Sequence, residues 1–240
     1  DEDLAIRLRK AGYNLQEVPK GGRKEYVNGV FELDFPVVHT GTVNTMPKHT
    51  TDLPLVKKNR DLLYARHAGG ADKAGAAGVS RSKDEIKRPK VSIVIPTLNH
   101  LEDLLKPNLE SIIAYTDLDD VEVIVVANGC TDGTEDYVKS LGPKFRLLSF
   151  PDPMGYTRAT NAGLKVAGGD FLILYNNDVV LLGQPKNQWL DILLEPYKSN
   201  PKMGITGPLQ LHDEYSDQDV IIGFCLCISR AALDSAGGLL

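Results

Sequence analysis

From Val91 onward, short apolar runs alternate with stretches of helical spacing. Val91–Ile95 is an apolar run stopped by Pro96 and predicts a buried strand. Leu101–Tyr115 sets Leu104, Leu105, Leu109, Ile112 and Ile113 on one helical face. Val121–Val126 predicts a second strand, ended by Asn128-Gly129. Asp132–Leu141 predicts a helix, with Asp132 and Glu135 spaced as a capping box. Phe145–Phe150 predicts a third strand, and Thr157–Ala167 a helix closed by Gly168-Gly169. Phe171–Tyr175 predicts a fourth strand that runs straight into Asn176-Asn177-Asp178. Gln188–Ser199 predicts a helix carrying Trp189, and Gly204–Leu209 and Ile221–Ile228 predict further strands. This β-α-β-α-β-α-β order implies an α/β fold whose mostly parallel sheet is covered by helices on both faces. Ligands of such sheets sit at the carboxyl ends of the strands. The polar residues found there are Thr97 and Asn99, Asn128, and Asn176 to Asp178.

The first 67 residues read differently. Asp3–Lys10 predicts a short helix closed by Gly12. Short extended pieces follow, among them Phe35-Pro-Val-Val-His39, and then a helix over Leu53–His67. Residues 68–89 are rich in Gly, Ala and Lys and predict a flexible linker, with an r.m.s. reach of about 25 Å.

Charge and cysteine usage narrow the classes. The 240 residues carry 27 Lys and Arg against 32 Asp and Glu, a net charge of −5. That argues against a nucleic-acid binder and leaves room for a local basic pocket for phosphates. Three Cys make no disulfide framework and fit a reducing compartment. The expected location is cytoplasmic, or peripheral at the inner face of a membrane. No apolar run approaches the ~20 residues of a membrane span. The chain opens Asp1-Glu2-Asp3 with neither Met nor an apolar leader, and reads as a piece of a longer one. Cys225 and Cys227 share one strand face and read as packing.

Three strand ends carry candidate chemistry. In Asn176-Asn177-Asp178 a carboxylate with flanking amide oxygens suits a hard divalent cation, which in turn holds a diphosphate; the same tripeptide is also an ordinary turn. Ile95-Pro-Thr-Leu-Asn99 suits contact with a nucleotide, or is a strand stop. Ala127-Asn-Gly-Cys-Thr-Asp-Gly133 leads into a helix N-terminus, a place that favours anions. No G-x-G-x-x-G follows a strand, which sets a dinucleotide-dependent dehydrogenase aside.

Taken together in order and spacing, these stretches resemble the family 2 glycosyltransferases of GT-A fold. The resemblance runs through Val91-Ser-Ile-Val-Ile-Pro-Thr-Leu-Asn99, Val123 to Thr134, Asn161-Ala-Gly163, Gly169 to Asp178, Trp189-Leu190, and Gly223-Phe-Cys to Ala236-Gly-Gly238. Asp1 to Tyr13, Val18-Pro19 and Val38-His-Thr-Gly-Thr42 resemble the C-terminal third of the same family. That third stands first here. The order implies either a circular permutation, with 68–89 as the joint, or a window across two tandem domains. In the first case residues 1–67 supply the acceptor and base portion, residues 90–240 the nucleotide-sugar portion, and together they make one GT-A domain. The family's loop between Gly-Gly and Glu-Asp, which commonly helps shape the acceptor site, has no counterpart in this stretch.

The resemblance implies a metal-dependent, inverting transfer of a sugar from a nucleotide-sugar to an acceptor hydroxyl. It implies Mn²⁺ or Mg²⁺ held by Asp178, Asn176 and His39, and Asp1 as the general base. Pro96, Thr97, Asn99, Asn128, Arg158, Asn161 and Asn177 would line the nucleotide-sugar. A UDP-sugar is the expected donor, although Ala127 stands where the family often has an Asp that contacts the base. The acceptor would be a glycan, a lipid-linked glycan or a protein, with no nucleic acid and no transmembrane segment. Two other readings stay open: a non-catalytic fragment that binds glycan or a partner, and a sugar nucleotidyltransferase. The second is disfavoured because Pro96-Thr-Leu-Asn-His100 lacks a Gly-rich basic loop.

Overall fold

The structure, a computed structural model, describes residues 2–18, 26–27, 30–31, 37–39, 90–208 and 223–237. The predicted helix over 53–67 and the linker over 68–89 lie outside them.

Apolar runs buried on both faces make the centre of the sheet. β5 (Val91–Thr97), β6 (Val121–Asn128), β7 (Phe145–Phe150) and β8 (Phe171–Tyr175) are parallel. β11 (Cys225–Ser229) runs against β8 and against β10 (Met203–Pro208). β1 (Asn14–Val18) lies parallel to β10 and completes a seven-stranded sheet in the order β1-β10-β11-β8-β5-β6-β7. The mostly parallel α/β sheet is therefore present, with β11 as its one reversed strand. Strand β1 was not predicted, because Asn14-Leu-Gln-Glu-Val18 has the mixed polarity of an edge. Two short antiparallel pairs lie outside the main sheet. β2 (Tyr26–Val27) pairs with β3 (Val30–Phe31), and β4 (Val37–His39) pairs with β9 (Val179–Leu181).

Alternate residues of each strand feed two cores. Val91, Ile93 and Ile95 of β5 pack with Leu105, Leu109, Ile112, Trp189 and Leu193. These come from α2 (Lys106–Tyr115) and α5 (Gln188–Ser199). Val94 points the other way, toward Ala159 and Leu164 of α4 (Tyr156–Val166) and Leu233 of α6 (Arg230–Ser235). Leu4 and Leu8 of α1 (Glu2–Lys10), one turn apart, enter this second core, and Leu8 is wholly buried. The N-terminal helix is thus bound into the C-terminal half. Arg7 donates to the carbonyl of Ala236 at 2.6 Å, and the hydroxyls of Tyr13 and Ser235 lie 3.2 Å apart.

Two sequence expectations are corrected. The inward face of α2 and the turn that leads into it holds Leu101, Leu105, Asn108, Leu109 and Ile112, and Ile113 is exposed. A π-helical turn over Leu101–Leu105, with Leu105 N–H bonded back to His100 O, inserts a residue and rotates the stripe. The capping box does not form. Gly133 takes a left-handed φ of 86°, so α3 (Thr134–Ser140) starts later, and Glu135 bonds Ser149 instead.

Helix α4 lies tight on the sheet at Gly163. A Cβ there would collide with Cγ1 of Val94 and stand 3.0 Å from Cγ2 of Val126. Both are β-branched and buried, so neither side chain yields easily. Gly163→Ala should gain about 1 kcal/mol in helix propensity and lose about 1–3 kcal/mol to overpacking. The expected net result is a melting midpoint lower by a few degrees, read by calorimetry. A midpoint at or above wild type would show that the helix can lift away.

Candidate active site

The chain leaves β5 in one direction, through β6 and β7, and returns on the other side of β5 at β8. The carboxyl ends of β5 and β8 therefore flank a topological switch point, where parallel sheets open a crevice. Pro96 lies on β5 beyond its ladder with β8, so its missing N–H breaks no pairing there. Next to it, buried Thr97 receives a hydrogen bond from Asn177 Nδ2 at 3.0 Å, which ties the two strand ends together.

The turn after β8 is held from three sides. Asn108, fully buried on α2, donates from Nδ2 to the carbonyls of Asn176 (2.9 Å) and Val179 (2.7 Å). Ser111, one turn on, accepts from Leu181 N–H at 3.0 Å. Asn176 N–H donates to Phe224 O at 2.9 Å. On the far edge β4 pairs with β9, setting the backbone of His39 against Val179, the residue after Asp178. Asp178 is half-buried in this turn, and its charge reaches two tyrosine hydroxyls. Burial, helped by Asp178, pushes the Tyr156 hydroxyl above its ordinary value. Burial, then Cys225 and Asp178, push Tyr175 well above. Both therefore stay protonated at neutral pH. The Tyr156 O–H donates to Oδ1 of Asn176 at 3.0 Å.

The neighbouring loops are tied to one another. Asn99 and His100 both take left-handed backbone, at φ 56° and 61°. Asn99 Oδ1 accepts from Thr131 N–H at 2.8 Å. Asp132 accepts from Leu101 N–H (2.8 Å) and from the Thr134 hydroxyl (2.7 Å). Desolvation alone would raise the Asp132 carboxyl, but these hydrogen bonds outweigh it and hold it below the usual range. Asn128 accepts from Met154 N–H at 2.8 Å. Gly129 needs its positive φ of 85°, and a Cβ there would meet Pro153 within 2.8 Å.

Comparison with known proteins identifies this arrangement. The profile described as glycosyl transferase family 2 matches residues 92–221, more than half of the chain. The chain belongs to glycosyl transferase family 2. An O-antigen biosynthesis protein, RfbC, of Myxococcus xanthus is 30 % identical over 140 residues, 56 % of this chain and 10 % of that protein. An N-acetylglucosaminyl-diphospho-decaprenol L-rhamnosyltransferase of Mycobacterium tuberculosis is 33 % identical over 113 residues, 43 % of this chain and 37 % of that protein. The chain thus spans well under half the length of these relatives. A mannosyltransferase of Pyrobaculum calidifontis, solved with GDP-Man and Mn²⁺, superposes with a TM-score of 0.53 at 21 % identity, over 75 % of this chain and 55 % of that one. The shared architecture is the GT-A fold.

In this family 2 chain, Thr97, Asn176, Asn177 and Asp178 come together at the switch point, with Asn99 just past the end of β5 and Asn128 at the end of β6. Arg158 is exposed on the first turn of α4, and Asn161 lies one turn further along. Asp1 lies outside the described residues, and His39 is described by its backbone pairing alone. Sequence reading missed Asn108 and Tyr156. A polar residue inside the apolar stripe of α2 was the signal for Asn108, hidden by the shifted helical phase. Tyr156 carried no such signal. Cys225 and Cys227 are buried, and burial pushes the Cys227 thiol up to about 12, so both act as packing groups.

The donor set fits a cation completed by substrate. Among the described residues no three His, Cys, Asp or Glu side chains converge. Asp178 supplies one carboxylate at the strand end. Mg²⁺ characteristically binds through one or two carboxylates together with substrate phosphates, and one carboxylate is what this turn offers.

Proposed function

We propose that this chain forms a metal-dependent, inverting glycosyltransferase domain that moves a sugar from a nucleotide-sugar to an acceptor hydroxyl. The observation that carries the reading is Asp178, held by the Asn108 clamp at the switch point where Asn177 and Thr97 join β8 to β5. Asp178 would hold Mn²⁺ or Mg²⁺, with His39 on the adjoining strand. A bound divalent ion neutralises charge on the departing diphosphate. Thr97, Asn99 and Asn128 line the nucleoside side of the crevice. Arg158, on the first turn of α4, adds positive charge where the diphosphate lies. Asp1 takes the proton of the acceptor hydroxyl as its oxygen attacks the anomeric carbon. The new C–O bond forms on the face opposite the breaking bond to the diphosphate, so configuration inverts. The expected acceptor is a glycan, a lipid-linked glycan or a protein. Among the described residues no helix is long and apolar enough to cross a membrane.

The same reading makes residues 1–67 and 90–240 parts of one domain in permuted order, joined by 68–89. Three contacts support it: Leu8 in the core, β1 alongside β10, and His39 opposite Val179.

A melting panel with UDP, GDP, CDP and dTDP, each with and without Mn²⁺, tests the site. A nucleotide at ~100 times its Kd stabilises by about 2.7 kcal/mol. In a domain of this size that raises the midpoint by roughly 5–10 °C. One nucleotide should produce this shift with Mn²⁺ in wild type and not in Asp178→Ala. No shift with any nucleotide would hand the chain to the non-catalytic, glycan-binding reading.

A further inference from the structure

Asn176 was expected from sequence to coordinate the metal through its amide oxygen. The hydrogen bonds around it argue for a different use. Its oxygen already accepts from the Tyr156 hydroxyl at 3.0 Å. Its main chain is fixed at both ends, the N–H on Phe224 O and the carbonyl under Asn108. Rotating the side chain is then the main freedom left, and Tyr156 sets that rotation. A tyrosine hydroxyl is protonated at neutral pH, so it seeks an acceptor. The amide oxygen meets that need, and the amide NH₂ is turned away from Tyr156. That NH₂ has no hydrogen-bond partner among the described residues. It carries two donors at the strand end that also bears Asp178. A diphosphate presents acceptors only.

We propose that Tyr156 is a positioning residue that fixes the Asn176 amide with its NH₂ toward the diphosphate of the donor, so that Asn176 binds the anion and does not ligate the metal. The proposal rests on the donor-site reading above. It divides the turn between two tasks. Asp178 answers to the cation, and Asn176 answers to the anion beside it. A second carboxylate at position 176 would lose the donor and add like charge next to the phosphates.

The test is isothermal titration of the full chain with the nucleoside diphosphate picked out by the melting panel, at saturating Mn²⁺. Asn176→Ala should weaken nucleotide binding roughly tenfold, the loss of one charge-assisted hydrogen bond. Tyr156→Phe should weaken it by roughly three- to tenfold, and adding it to Asn176→Ala should cost nothing more. Asn176→Asp should weaken binding at least as much as Asn176→Ala. In a parallel measurement, the paramagnetic signal of free Mn²⁺ gives half-saturation by the metal at saturating nucleotide. That value should stay within about twofold of wild type for Asn176→Ala and Tyr156→Phe, and move about tenfold or more for Asp178→Asn. A displaced Mn²⁺ half-saturation in Asn176→Ala, or tighter Mn²⁺ in Asn176→Asp, would restore the oxygen as a ligand and overturn the proposal. Unchanged nucleotide affinity in Tyr156→Phe would also overturn it, while metal-dependent binding lost in Asp178→Asn left the donor-site reading standing. A wild-type chain that binds no nucleotide overturns both. Tyr156 is 46 % exposed, so Tyr156→Phe should fold, and its ligand-free melting midpoint checks that.

Discussion

Asp178→Asn should abolish most of the metal-stimulated release of nucleoside diphosphate from the nucleotide-sugar, by about a thousandfold or more in kcat/KM. Neutralising the leaving group through a bound cation supplies several kcal/mol of transition-state stabilisation, and each 1.36 kcal/mol is about tenfold in rate. The amide keeps the size and one oxygen of the carboxylate but drops its charge. The turn itself should survive, because its shape is set elsewhere: by Asn108 on its carbonyls, Phe224 on its N–H and Asn177 on Thr97. Far-ultraviolet circular dichroism and the ligand-free midpoint should therefore match wild type. Donor hydrolysis is the measurement, since it requires no knowledge of the acceptor. Activity within tenfold of wild type would place the metal-binding carboxylate elsewhere.

Asn108→Leu should do the reverse, damaging the fold and the site together. Leu matches the size of Asn but donates nothing, so the carbonyls of Asn176 and Val179 lose their shared partner, and Asn176 O keeps only the longer bond from Val179 N–H at 3.4 Å. Each unsatisfied group costs about 1–3 kcal/mol. The sum corresponds to a midpoint lower by roughly 5–15 °C. Well below that midpoint the chain should still be folded, yet show little Mn²⁺-dependent nucleotide stabilisation, because the turn no longer holds Asp178 in place. A variant that loses stability but keeps full metal-dependent binding would reduce Asn108 to a core residue.

Much of this was readable in the residues, for a definite reason. The strands β5, β6 and β8 are apolar on both faces because both faces are covered, and such runs stand out. The polar residues that stop them fall at one end of the sheet, so Thr97, Asn128 and Asp178 are legible together from the sequence alone. What failed to show was long-range or local in the wrong way. Strand β9 is three residues whose partner is β4, some 140 positions earlier, so no neighbouring residue signals it. The π-helical turn displaced the inward face of α2 and took Asn108 with it. The αL geometry at Asn99 and His100 goes with ties from Asn99 to Thr131 and from Leu101 to Asp132 in the loop after β6, which spacing alone does not report. Tyr156 at the head of α4 looks like an ordinary helix residue until its hydroxyl is seen on Asn176.

The pairing of β1 with β10 also sets an order in time. Residue 14 finds its partner at residue 203, and Leu4 and Leu8 wait for Leu226, Ile228 and Leu233. A ribosome adding about 5–20 residues per second leaves these earlier-made elements without their partners for on the order of ten to forty seconds. During that interval an amphipathic helix and a bare strand are exposed together, the combination that invites pairing with a neighbouring chain. Newly made chains thus have most need of protection over residues 2–18, before the sheet edge that receives them has been synthesised.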